Sequence, residues 1–170
     1  ARSVAEQLGM PYHVFNFADR FESCVINRFV HAYENGETPN PCIDCNRYLK
    51  FEKLYQRAQE LGCTHVVTGH YARIERAENG RFLLKKGLDP TKDQSYVLYC
   101  LTQQQLAHTL LPLGGMEKTA VRALADENGF CNGQKPDSQD ICFVQNGDYA
   151  DFIESYTKKH YPPGPFVRRD

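Results

Sequence analysis

Apolar positions recur along this chain with two different periods, and the switches between them outline an alternating architecture. Residues 1–9 read as the tail of an amphipathic helix, stopped by Gly9 and Pro11. Tyr12-His13-Val14-Phe15-Asn16-Phe17 predicts a strand. From Asp19, placed as an N-cap, Phe21, Val25, Phe29 and Tyr33 recur on one face of a helix that ends at Asn35-Gly36. Tyr48, Phe51, Leu54, Tyr55, Ala58 and Leu61 mark the next helix, closed by Gly62. His65-Val66-Val67-Thr68 is a short apolar strand that runs into Gly69-His70. Strand, helix and strand joined by a long crossover predict an α/β fold, part of a doubly wound parallel sheet with helices packed on it.

The pattern then changes. Tyr71–Arg76 and Arg81–Lys86, joined through Glu78-Asn79-Gly80, predict a hairpin. Gln103–Leu111, Glu117–Asn128 and Asp148–Lys159 predict helices, and His160-Tyr161-Pro162-Pro163-Gly164-Pro165 a linker. A remainder of an α/β domain over residues 1–103 and a small, mainly helical domain over 104–170 are the expected division. The first residue already sits in a helical pattern and is not Met, which reads as a fragment whose first strand and loop are missing.

Bulk composition narrows the class without naming a function. With 170 residues, 41% hydrophobic and 24% charged, the chain suits one to one and a half globular domains. No apolar run is long enough to span a membrane, and no targeting core is visible at the start. A net charge of −1 does not advertise nucleic-acid binding, though it leaves room for a local basic face. Residues 73–92 hold such a stretch (Arg73, Arg76, Arg81, Lys85, Lys86 and Lys92), which a solvated hairpin explains as well as an RNA face does. Seven cysteines at irregular spacing make a poor disulfide framework and point to a reducing cytoplasm. Cys24, Cys63 and Cys100 read as small buried hydrophobes.

Cys42 and Cys45 stand apart. They lie in Thr38-Pro39-Asn40-Pro41-Cys42-Ile43-Asp44-Cys45-Asn46-Arg47, a rigid turn opening onto a helix. Such a CxxC can bind metal, exchange disulfides or hold one reactive thiolate. Zinc would need a second CxxC or paired histidines, so no metal site is expected. A thioredoxin-like motif would follow a strand directly. A nucleophile remains: Cys45 is placed at or just before a helix start, where the helix dipole and unpaired N–H groups lower a thiol pKa, with Arg47 adding to the effect. Cys142 follows the polar run Asp137-Ser138-Gln139-Asp140 and reads on its own more readily as structural than as reactive. Thr68-Gly69-His70-Tyr71 ends a strand, at the sheet edge where ligands bind in open parallel sheets, and Gly69 permits close backbone approach. Lys92-Asp93-Gln94-Ser95-Tyr96 joins a phosphate-binding cation, a base-reading amide and a stacking ring. Asp93 serves equally as an N-cap for a helix through Leu101.

Thr-Pro-Asn-Pro-Cys-x-x-Cys-Asn-Arg, Thr-Gly-His-Tyr-Ala-Arg, Lys-Asp-Gln-Ser-Tyr and Asp-Ser-Gln-Asp-Ile-Cys-Phe, in this order, resemble the bacterial tRNA-specific 2-thiouridylase family of PP-loop ATPases over nearly the whole chain. The resemblance implies a PP-loop type of sheet followed by a helical, tRNA-recognising domain. It implies ATP, with Mg2+, adenylating the 2-oxygen of the wobble uridine in tRNAs for Lys, Glu and Gln. It implies sulfur arriving as a persulfide from a relay protein or cysteine desulfurase. Cys45 matches the family's nucleophile and Cys142 the persulfide carrier, and the two can close as a transient disulfide. Asn40, Pro41 and Cys42 match the contact to the target base, His70, Lys92, Asp93 and Gln94 match tRNA contacts, and Gly69 matches a nucleotide contact. Some members carry Asp at the position of Cys42, which argues against a catalytic role for it. The family's phosphate-gripping Ser-Gly-Gly-x-Asp-Ser loop and its C-terminal β-barrel are absent from these residues, so the fragment is expected to be inactive alone. Two rival readings are a PP-loop thiolase whose iron–sulfur cluster is held by Cys42, Cys45 and Cys142, and a non-catalytic tRNA-binding module.

Overall fold

The computed structural model describes residues 1–130, 133, 140–144, 147–165 and 167–168. The chain forms two compact units, Ala1–Lys135 and Pro136–Asp170.

In the first unit, α1 covers Arg2–Gln7. The next helix, α2, runs from Ala18–Phe21 through a π-helical stretch, Glu22–Ile26, into Asn27–Glu34. Its cap is not Asp19. Phe17 is the N-cap residue, the Asn16 side chain accepts from Ala18 N–H at 2.9 Å, and Asp19 falls in the first turn. The third helix, α3, has the same construction: Pro41–Asp44, a π stretch Cys45–Lys53, then Leu54–Glu60. A π turn closes each backbone ring one residue later than an α turn, which widens the helix and shifts the face each side chain occupies. Val25, Phe29 and Val30 from α2, and Leu49 and Phe51 from α3, are buried.

Four short strands follow, in two pairs. β1 (Val66–Val67) runs parallel to β4 (Thr109–Leu110), with Val66 opposite Thr109 and Val67 opposite Leu110. β2 (Ala72–Arg76) and β3 (Phe82–Lys86) form the expected antiparallel hairpin, with Ala72 opposite Lys86 and Arg76 opposite Phe82. A small helix, α4 (Gln103–Ala107), carries a capping box in which Thr102 and Gln105 satisfy each other's backbone. α5 covers Lys118–Glu127. Its first N–H is capped from a distant loop, since Lys118 N–H donates to the Asp89 carboxylate at 3.1 Å. That bond and two from Thr91 hold the Asp89 carboxyl below its usual range.

The small parallel sheet is therefore present, but it is built from a different strand than expected. Tyr12–Phe17 has no ladder partner among the described residues, and a strand without a partner lacks the bonds that define it. Alternate rings along it stack, His13 on Phe15 at 6.3 Å and Phe15 on Phe17 at 5.9 Å between centroids. The predicted helix Gln103–Leu111 stops at Ala107, and its last residues become β4. β-branched Thr109 and the apolar run behind it gain more from pairing with β1 than from another helical turn. Through this pairing and the Asp89 bond, β4 and α5 are joined to elements of the first compact unit.

The core joins both sheets to α3: Phe51, Val66, Ala72, Val97, Leu98, Leu101 and Leu106 are buried together. Ala72 is 0% exposed, and the chain passes so close to it at Gly114 that an added Cβ would lie 1.7 Å from the Ala72 carbonyl oxygen. The second unit is smaller. Asp148 caps α6 (Tyr149–Thr157) by accepting from Asp151 N–H at 3.0 Å, and Ile153 and Val144 are buried. Phe143 packs on Phe152 with centroids 5.1 Å apart.

Backbone atoms cannot rotate out of the way of a new methyl group. Gly114→Ala is expected to destabilise the chain by at least about 2 kcal/mol in urea unfolding. Gly115→Ala is the control, because nothing lies within 4 Å of its added Cβ; it is expected to cost less than about 0.5 kcal/mol.

Candidate functional site

Three of the four motifs converge on α3. Its start follows from the local sequence. Asn40 caps by accepting from Cys42 N–H at 3.1 Å, and Pro41 takes the first helical position, where a missing N–H costs nothing. Cys42 is exposed in the first turn, and Cys45 is half-buried one turn later. The helix therefore begins four residues before Cys45, and the Cys45 N–H is already used within it. The first-turn N–H groups of Cys42 and Ile43 are both taken by Asn40, through its side chain and its carbonyl, and Cys45 opens the π stretch.

Around this turn lies a group of cations on one ring. The guanidinium carbons of Arg20, Arg28 and Arg47 stand 5.8, 5.6 and 5.8 Å from the Tyr48 centroid. Arg28 pairs with Asp44 at 2.9 Å and Arg20 with Glu52 at 3.2 Å, tying α2 to α3. Arg47 lies beside Tyr48 and Cys100, which hold its pKa above the ordinary value. A cleft of about 390 Å³ opens here, walled by Arg28, His31, Asn40, Asp44, Arg47 and Tyr99. Tyr99 is 66% exposed. Asn40 faces this cleft, whereas Cys45 is not among its walls. A larger cleft of about 680 Å³ lies over β2 and β4, lined by His65, Arg73, Phe82 and Leu111 among others. None of the expected site residues lines it.

The strand-end motif and the Lys92–Ser95 motif meet directly. Gln94 N–H donates to the Tyr71 carbonyl at 2.9 Å, while Tyr71 N–H donates to the Gln94 side-chain oxygen at 3.1 Å. Asp93 does not cap a helix through Leu101. It accepts from Gly87 N–H at 2.8 Å and from Ser95, and only a 3-10 turn, Ser95–Val97, follows. Burial pushes the Asp93 carboxyl up, but those hydrogen bonds outweigh it and leave the group below its usual range. Asp93 and Gln94 thus hold the backbone together whatever else they touch. His70 is buried at 8% exposure, with Nδ1 2.8 Å from the Thr68 hydroxyl and its ring 6.1 Å from Phe51. Burial, helped by the charge of Lys50, pushes its imidazole down to about 4. Gly69 follows β1, and an added Cβ there would touch Leu113 at 3.4 Å.

The α3 motif joins these two through Asn46. This side chain is 1% exposed and donates to the Val97 carbonyl at 3.2 Å. Sequence reasoning passed over Asn46, Arg28, Tyr48 and Tyr99. A polar residue three before Leu49 and five before Phe51, on an otherwise core-facing surface, was the available signal for Asn46. Cys142 is exposed and belongs to the second unit; Asp137-Ser138-Gln139 and Cys131 lie outside the described residues. Cys63 is exposed in the turn after α3, not buried as its spacing suggested, and Cys24 and Cys100 are half-buried.

Residues 1–146 match the family described as tRNA methyl transferase HUP domain. The chain belongs to this family. It is also similar to proteins named tRNA-specific 2-thiouridylase MnmA: 51% identical to that of Clostridioides difficile over 168 residues, 98% of this chain and 46% of the relative. Identity is 52% to that of Acetivibrio thermocellus, over 98% of this chain and 47% of the relative. It is 50% to that of Symbiobacterium thermophilum, over 98% of this chain and 43% of the relative. The chain therefore spans about half the length of these relatives. No helix among the described residues is long and apolar enough to cross a membrane.

A histidine held neutral in the fold gives stability a definite pH dependence. The folded pKa of about 4 lies below the unfolded 6.5, so the contribution is whole above 6.5 and is lost as pH falls from 6.5 towards 4. Urea unfolding between pH 7.5 and 4.5 is expected to show this loss, and His70→Gln to flatten it. An equal slope in the variant would place the dependence elsewhere.

Proposed function

We propose that this chain is the sulfur-handling part of an ATP-dependent tRNA 2-thiouridylase, which replaces the 2-oxygen of a wobble uridine by sulfur. The observation that supports this reading is the start of α3: an Asn-capped, Pro-initiated turn bearing Cys42 and Cys45 beside a polar cleft walled by Arg28 and Arg47 together with Glu37 and Asp44, in a chain collinear with thiouridylases.

In this reading the target base meets Asn40, Pro41 and Cys42 at the mouth of the cleft. The fixed charge of Arg47 suits RNA phosphate, and His70, Lys92, Asp93 and Gln94 face tRNA from the neighbouring edge. The tRNAs are those for Lys, Glu and Gln. The terminal sulfur of a Cys142 persulfide attacks C2 of the activated uridine, and AMP leaves. The Cys45 thiolate then attacks Cys142 Sγ and breaks the sulfur–sulfur bond. The transferred sulfur stays on the base, and the two cysteines close as a disulfide. Electrons balance: one sulfane sulfur is reduced by two thiols, and an external thiol reopens the disulfide. The persulfide comes from a relay protein or cysteine desulfurase in the cytoplasm.

ATP, when bound with Mg2+, supplies the adenylyl group that activates the uridine oxygen. Gly69, a residue without a side chain just past the carboxyl end of β1, suits the nucleotide. The Gly114-Gly115 turn does not suit its phosphates, although it leads towards α5. Asp89 occupies the first N–H of that helix, and the Ala72 carbonyl fills the space at Gly114. The same reading makes the sheet a doubly wound one of the PP-loop type, in which Tyr12–Phe17 and the second edge of β1 meet further strands. It makes the helices beyond residue 103 a tRNA-recognition region.

The test uses a full-length protein containing this chain, unmodified tRNA, ATP, and a cysteine desulfurase with cysteine as the persulfide source. Wild type is expected to form 2-thiouridine, and Cys45→Ser and Cys142→Ser to lose at least about a hundredfold in rate with tRNA binding unchanged. Full activity in both variants would leave the cysteines structural. No activity in wild type, with tRNA still bound, would favour a binding module.

A further inference from the structure

We propose that Asn46 is a positioning residue for Cys45: its amide sets the rotation of the cysteine-bearing turn against the end of β1. This rests on the reading of Cys45 as the reacting thiol.

Four observations carry the inference. First, Asn46 is the residue next to Cys45, at the start of the π stretch Cys45–Lys53. Neighbouring side chains on one helical turn are rigidly related in direction. Fixing Asn46 therefore fixes the direction in which the Cys45 side chain leaves the helix, although Cys45 itself is half-exposed. Second, Asn46 Nδ2 donates to the Val97 carbonyl across 51 residues of sequence, at 1% exposure. Third, Val97 closes the turn that Gln94 clamps onto Tyr71 from both sides. The amide thus registers the thiol against the strand end that bears Gly69 and His70. Fourth, the Asn46 Oδ1 atom is buried with no hydrogen-bond partner among the described residues.

That last feature separates two roles. For stability alone, a buried amide with one unmatched end is a poor choice. Leucine has a similar size and carries no polar atom to strand, so a merely structural site would tolerate it. A positioning site would not, because a leucine leaves the turn free to rotate over the Val97 carbonyl. The π stretch makes this matter more, since its wider ring already departs from the α-helical spacing that would otherwise fix the azimuth.

The experiment uses the full-length protein with Asn46→Leu and Asn46→Asp. Three quantities are measured: the melting temperature, the rate at which iodoacetamide alkylates Cys45 (read on its peptide by mass spectrometry), and kcat and KM for thiolation. Asn46→Leu is expected to melt within a few degrees of wild type and to bind tRNA with KM changed less than about twofold. It is expected to lose about tenfold or more in kcat and to change the Cys45 alkylation rate at least about threefold. Asn46→Asp keeps the shape, but its carboxylate cannot donate. Its alkylation rate and kcat, each relative to wild type at the same pH, are expected to recover as pH falls and the introduced carboxyl regains a proton to donate.

A folded Asn46→Leu with unchanged kcat and alkylation rate overturns the proposal. So does an Asn46→Asp whose ratios to wild type are flat with pH, which decides the matter if the leucine variant does not fold. Alkylation needs neither tRNA nor ATP. If wild type fails to thiolate, the proposed function falls while the alkylation ratios still decide the positioning role.

Discussion

Two hydrogen bonds between Gln94 and Tyr71 hold the site together. They run in opposite directions, one from backbone to backbone and one from backbone to side chain, so neither residue can slide along the other. On one side they anchor the end of β1, with His70 next door. On the other they anchor the Ser95–Val97 turn, whose last carbonyl receives α3. The core forms at the same junction: Val97 and Leu98 enter it beside Ala72 and Phe51. Packing and polar contacts are therefore not separable here. The apolar residues supply the cohesion, and the bracket decides which way the polar groups around them face.

Charge plays a different part. The chain is nearly neutral overall, yet Arg20, Arg28 and Arg47 crowd one tyrosine. The ring face attracts each guanidinium while the three repel one another. Asp44 and Glu52 offset part of that repulsion from the neighbouring helix. Such solvent-facing pairs contribute little stability at physiological salt. Their larger effect is directional: they set guanidinium groups of α2 against carboxylates of α3, beside a cleft whose walls carry both signs, Arg28 and Arg47 with Glu37 and Asp44.

How far the sequence was legible depends on what each residue had to satisfy. The hairpin, α5 and α6 were plain because local rules suffice for them: a Gly turn, a 3.6-residue period, and Asp148 as a cap. The start of α3 is misplaced by its sequence pattern: Asn40-Pro41 reads as part of a rigid turn with the helix beginning at or just after Cys45, whereas Asn40 is the cap and Pro41 the first helical residue. Three features escaped because they depend on partners far away in sequence. Residues 109–110 have an ordinary helical pattern and become a strand only because β1 lies alongside. Asp93 looks like a cap, but Gly87 competes for its carboxylate. Asp19 yields the capping position because the Asn16 side chain reaches the Ala18 N–H first. Of the site, the cysteine, strand-end and Lys-Asp-Gln motifs were visible as strings of residue types. Their convergence through a buried asparagine was not, since no spacing rule links positions 46 and 97.

The paired π stretches in α2 and α3 have a consequence for chain length. A π turn accommodates one residue more than the α turn it replaces, so each of these helices carries a built-in surplus residue. Removing one residue at position 47 or 48 would leave the Asn40 cap and the Gly62 stop intact and give a more regular helix. It would also turn everything ahead of the deletion by about one α-helical step, roughly a quarter of a turn. Cys42 and Cys45 would then face a different direction while Leu49 and Phe51 kept their places in the core, and Asn46 would lose the Val97 carbonyl. Between these two helices, single-residue gaps and insertions are thus changes of aim more than of fold, and a shorter, better-formed helix would be the one that has lost its target.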